Sequence, residues 1–104
     1  MKGEILVVQV RETDAFADWL DCLRDAIGRA KILVRIQRLS RGNAGDVGPV
    51  GEGISEMRIH YGPGYRVYYK QQRSDVIVLL AGGDKSTQAR DIETAKRLAK
   101  ELKE

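Results

Sequence analysis

The sequence predicts an α+β domain in the order β-α-α-β-β-β-α, with a small, mainly antiparallel sheet packed against a helix hairpin and a C-terminal helix. Three observations carry this. Residues 54–81 hold three strand-like runs joined by two short turns, the pattern of an antiparallel meander. Residues 14–39 hold two apolar stripes at steps of three and four, each drawing one face of a helix. A last stripe, Ile92, Ala95, Ala99 and Leu102, closes the chain with a third helix. The 104 residues give room for one domain, 1–104, around one core.

Ile5–Val10 is β-branched and apolar and reads as the first strand. Thr13 or Asp14 caps the helix after it, whose stripe is Phe16, Trp19, Leu20, Leu23 and Ile27. Asp14, Asp18, Asp21 and Asp25 form an acidic stripe beside it. Gly28 breaks or bends the chain before a second helix with Ile32, Leu33, Ile36 and Leu39 inward. Lys31, Arg35 and Arg38 line one polar side of that helix, with Arg29 and Arg41 at its ends. Two readings of this basic stripe stand. It faces the acidic stripe across the hairpin, or it faces nucleic acid, with Arg35, Arg38 and the sheet residue Lys70 as RNA contacts. Residues 42–53, with Gly at 42, 45, 48, 51 and 53 and Pro49, read as irregular. They are no phosphate-binding loop: no Gly-Lys-Ser/Thr ends them and no helix follows.

The meander alternates. Met57 and Ile59 share one face, while Glu56, Arg58 and His60 share the other. After the turn Gly62-Pro63-Gly64, Tyr65, Val67 and Tyr69 point one way and Arg66, Tyr68 and Lys70 the opposite way. Gln72–Asp75 makes the second turn. Val76–Leu80 is continuously apolar, a buried strand. Gly82-Gly83-Asp84-Lys85 then leads into the last helix, from about Thr87 to Leu102. The polar face thus gathers Arg58, His60, Arg66 and Tyr68, and Lys85 arrives at the end of the next strand. A basic, partly aromatic cluster of this kind suits a phosphate.

Net charge is +3 with a sequence pI of about 9.2, which admits a nucleic-acid partner without demanding one. The single Cys22 excludes an intrachain disulfide, fits a reducing compartment, and reads as half-buried filler on the first helix. No apolar run approaches the ~20 residues of a membrane span. The N-terminus lacks the pattern of a signal peptide. The expectation is a cytoplasmic protein without membrane contact. One His and one Cys cannot make a zinc site, so no metal and no cofactor are expected.

Three blocks carry a family resemblance: Gly45-Asp46-Val47 with residues 49–53, the run 56–69, and Leu79-Leu80 through Gly82–Gln88 to Asp91-Ile92. In order and over nearly the whole chain, they resemble the RelE/ParE superfamily of toxins from type II toxin–antitoxin modules. The likeness is closer to the HigB-like, phage-derived addiction module killer protein branch. It implies a RelE-like fold and a metal-independent, ribosome-dependent mRNA endonuclease that arrests translation. The ribose 2′-hydroxyl would attack the adjacent phosphate, leaving a 2′,3′-cyclic phosphate and a 5′-hydroxyl. It implies a helix-turn-helix antitoxin as partner, a hetero-oligomer with it, and contact with ribosome and mRNA. Arg66 falls at the family's catalytic arginine, and Lys85 matches the basic residue of the last strand-to-helix turn. Arg58 falls near basic catalytic residues of RelE relatives, with a one-residue shift. His60 and Glu56 are alternative bases, Glu56 being also placed to pair with Arg58; Tyr68 would stack on a base or support Arg66. Glu56 and Arg58 stand where some relatives have two lysines, and Asp91-Ile92 where some carry a tyrosine. The alternative is a non-catalytic module of this fold, acting on another target or only as an antitoxin's partner.

Overall fold

The computed structural model describes residues 8–103. The chain runs β1 (Gln9–Glu12), α1 (Asp14–Cys22), α2 (Ala26–Ser40), β2 (Val47–Gly51), β3 (Ile54–Ile59), β4 (Tyr65–Arg73) and β5 (Val76–Gly83). A single 3-10 turn (Lys85–Thr87) leads into α3 (Gln88–Lys100). The fold is α+β, as the periodicity predicts. The sheet order is β1-β5-β4-β3-β2, parallel between β1 and β5 and antiparallel elsewhere. Residues 5–7 of the expected first strand lie outside the described residues.

The glycine-rich segment is not wholly irregular. Val47, Gly48 and Pro49 pair with Met57, Glu56 and Ser55, which adds a fifth strand to the four expected, between α2 and the meander. Pro49 is tolerated because β2 is the sheet's edge, where a missing N–H costs nothing to a further strand. The register shifts between Pro49 and Gly51, and Glu52 and Gly53 turn back with φ of 57° and 78°.

The helix boundary also differs from expectation. The first helix stops at Cys22, and Gly28 lies inside the second. Asp25 takes over as cap, its Oδ1 accepting from Gly28 N at 2.9 Å. That satisfies one of the donors a helix start leaves open, so the chain restarts there instead of at the glycine. Gly28 is needed for space: a Cβ would lie 2.6 Å from the Tyr65 ring and 2.6 Å from Asp25 Oδ2. The acidic and basic stripes do not meet. Among the described residues no ion pair joins Asp14, Asp18, Asp21 or Asp25 to Lys31, Arg35 or Arg38. Arg29 instead donates to the carbonyls of Asp21 and Leu23, bracing the link between the helices. Cys22 is exposed, not half-buried.

Strand alternation splits the core into two layers. Met57, Ile59, Tyr65, Val67, Tyr69, Ile77 and Leu79 meet Phe16 of α1 and Ile32 and Leu39 of α2 on one face. Ile54, Tyr68, Val76, Val78, Leu80 and Ala81 meet Ala95 and Ala99 of α3 on the other. Each large side chain buried this way contributes about 1.5–3 kcal/mol. Ile27 and Leu33, expected inside, stay largely exposed on α2. No helix among the described residues is long and apolar enough to cross a membrane.

Candidate functional site

The second sheet face is apolar under α3 and polar beyond it. Antiparallel register sets Glu56 opposite Tyr68 and Arg58 opposite Arg66, and Arg66 in turn opposite Gly83. Where β5 ends, Asp84 caps the 3-10 turn through Ser86 N at 2.8 Å and exchanges bonds with Thr87. That cap fixes the direction in which Lys85 leaves the sheet. Gly64 makes room for it: its φ is +80°, and a Cβ there would lie 2.7 Å from Lys85 Cδ and 3.5 Å from Arg66 Nη1. His60, Arg66 and Lys85 consequently line one open cavity of about 350 Å³, floored by the turn Tyr61–Gly64.

Arg66 is 6% exposed. Its Nη1 donates to the carbonyls of Gly64 and Tyr65, at 3.1 and 3.3 Å. Its buried Nε lies 3.8 Å from Glu56 Oε2 and makes no hydrogen bond within the described residues. Glu56 itself accepts three hydrogen bonds. Gln88 Nε2 (2.6 Å), Arg58 Nε (3.0 Å) and Tyr68 OH (3.1 Å) all donate to it. Burial pushes its carboxyl up, but those bonds and the Arg66 charge outweigh burial and hold it below the ordinary range. An ionised carboxylate with this many donors is a poor base.

Tyr68 is fully buried, its hydroxyl pinned to Glu56. Burial and the Glu56 charge push its phenol well above the ordinary value. It is out of reach of an RNA base and acts as a support for Glu56. Arg58 is turned along the sheet to Glu56 and to Asp46 (3.1 Å), and these bonds raise its pKa further. His60 stands just past β3, exposed, with Nε2 2.5 Å from Asp46 Oδ2. The His60 bond is the main cause that holds the Asp46 carboxyl low, against some desolvation and with help from Arg58.

Asp46 is the site residue that sequence reasoning misses. It lies in a segment read as loop, fourteen positions before His60. Only the pairing of β2 with β3, continued by Arg58 N donating to Asp46 O, brings it there. The remaining expected contacts lie elsewhere. Arg35 donates to the carbonyls of Arg58 (2.7 Å) and Ala44 (3.0 Å), and with Arg38 borders a groove beside α2. Lys70 is four residues along β4 from Arg66, roughly 13 Å away.

The assembled set is two cations on a concave surface with a carboxylate-held imidazole at its rim. It can grip a phosphate, stabilise added charge on it, and accept a proton. Among the described residues, no group of three or more His, Cys, Asp or Glu is placed to hold a metal ion.

Residues 18–103 match the family model described as phage derived protein Gp49-like (DUF891). A relative from Haemophilus influenzae, which bears the name "Uncharacterized protein", is 50% identical over 97 residues. The match covers 93% of this chain and 98% of the relative.

Proposed function

The chain belongs to the phage-derived Gp49-like family, which is related to toxin–antitoxin modules, and from that premise we propose that it is a RelE/HigB-like toxin that cuts mRNA in the ribosome without a metal. The observation that carries this reading is the shared cavity of His60, Arg66 and Lys85. In the proposed reaction His60, oriented by Asp46, takes the proton of a ribose 2′-hydroxyl. The 2′-oxygen attacks the adjacent phosphorus while Arg66 and Lys85 stabilise the added negative charge. The bond to the 5′-oxygen breaks, and that oxygen leaves with a proton from the Lys85 ammonium. The products are a 2′,3′-cyclic phosphate and a 5′-hydroxyl. The partners in this reading are the ribosome with its mRNA and a helix-turn-helix antitoxin that silences the toxin.

A second reading, a non-catalytic module of the same fold, draws on the near-complete burial of Arg66. Mapping mRNA 5′ ends in a translation extract, with and without added ribosomes, separates the two. Lys85 and His60 are both exposed, so Lys85→Ala and His60→Ala should leave the fold intact. The expected result is in-frame cuts that need ribosomes and weaken about 10²–10³-fold in each variant. Folded wild-type protein that produces no cuts would establish the binding module. Cuts without ribosomes would make it a free ribonuclease.

A further inference from the structure

The large apolar side chains left exposed among the described residues all stand on α2: Ile27 at 60%, Leu33 at 47% and Val34 at 44%. With Ala30 they step by three and four, so α2 has a second apolar stripe outside the one it buries. Between this stripe and the end of β3 runs an open groove of about 590 Å³. Ile27, Ala30 and Val34 floor it, and Lys31, Arg35 and Arg38 border it. No carboxylate lines it. Arg35 is committed to backbone carbonyls, which leaves Lys31 and Arg38 as its outward charges.

The chemistry of the groove selects its occupant. An aliphatic floor about two helical turns long matches a helix laid alongside, with apolar side chains at the same three-and-four spacing. The basic border calls for carboxylates flanking that stripe. A second copy docking through the same face would set Lys31 and Arg38 against their own equivalents, which costs energy. RNA would gain nothing from the aliphatic floor, and Lys31 Nζ lies 5.2 Å from the Tyr61 ring centroid, over the face a base would stack on. We propose that this groove is the docking site of an acidic amphipathic helix from a partner protein. Its apolar side chains would fill the Ile27–Ala30–Val34 floor, and its carboxylates would pair with Lys31 and Arg38. His60 and Tyr61 line both the groove and the Arg66–Lys85 cavity. A helix seated here therefore lies along the rim of the candidate site. The proposal rests on this surface and stands whether or not the cavity cuts RNA.

The test is selection of binders to the whole chain from a displayed library of short helical peptides with random surface charge. The expected winners are net acidic, with apolar residues at three-and-four spacing. Their affinity should fall about tenfold or more with Ile27→Glu or Val34→Glu, and with added salt. Lys31→Glu with Arg38→Glu should shift the winners towards basic peptides. These positions are exposed, and circular dichroism checks that each variant stays folded. Winners that are basic or indifferent to charge, winners unaffected by Ile27→Glu, or no winners at all would overturn the proposal. So would self-association in sedimentation that Ile27→Glu abolishes, which would make the occupant a second copy. Binding of single-stranded RNA that depends on Lys31 and Arg38 but not on Ile27 or Val34 would make it an RNA face.

Discussion

Asp46 holds two partners at once, His60 through one oxygen and Arg58 through the other. Asp46→Asn keeps the shape but removes the charge that orients the imidazole. Under the proposed reaction its cleavage rate should fall about tenfold or more, while Asp46→Glu recovers part of the rate. An Asp46→Asn variant with an unchanged rate would remove Asp46 from the site. Glu56 is different in kind. It is 2% exposed and serves Arg58, Tyr68 and Gln88, so Glu56→Gln should cost about 1–3 kcal/mol of stability, read from urea unfolding. Tyr68→Phe loses a single bond from that set and should cost about 1 kcal/mol. Gly64→Ala combines a strained φ with a clash against Lys85, so it should both destabilise the fold and displace the cation from Arg66.

At the scale of elements, the caps decide where helices begin. Thr13 accepts from Phe16 N at 3.1 Å and donates to the Leu80 carbonyl at 2.7 Å, joining the start of α1 to β5. Thr13→Ala should lower stability by about 1–2 kcal/mol, and a urea midpoint equal to wild type would show that the cap contributes nothing. Asp25 caps α2 and also accepts from Tyr65 OH at 2.8 Å, one carboxylate tying helix to hairpin. Burial and that bond raise the Tyr65 phenol to about 12, so it stays a donor at neutral pH. The edge strand β2 matters to the site more than its length suggests, because its pairing with β3 carries Asp46 to His60.

For the whole molecule, the depressed carboxyls set the acid limit of stability. Asp25 is held low chiefly by the Gly28 N–H, Asp46 chiefly by His60, and Glu56 by donors that overcome its burial. Each has a folded pKa below its unfolded value, near 3.8 for Asp and 4.5 for Glu. As pH falls the unfolded chain binds protons first, so their contribution is whole above that range and is lost as pH drops through the folded values. The urea midpoint should therefore hold from neutral pH to about pH 5 and fall below it, less steeply in Glu56→Gln. A midpoint that rises on acidification would contradict these assignments.

Periodicity alone determined the class of fold, the meander, its two faces and the positions of Arg66 and Lys85 on or beside one of them. Alternation and helical spacing are local properties, set by where each Cβ points, so they can be read without the fold. Tertiary structure decided the rest. It buried Tyr68 under α3, since a residue on the polar face of a strand is exposed only where no helix covers it. It turned a glycine-rich segment into an edge strand, because pairing with β3 outweighed a weak local propensity. It separated the charge stripes of α1 and α2 and left Ile27 and Val34 uncovered, since the angle at which helices seat on a sheet follows from packing. It also made the His60–Asp46 pair, a contact across fourteen residues that rests on strand register and has no trace in spacing.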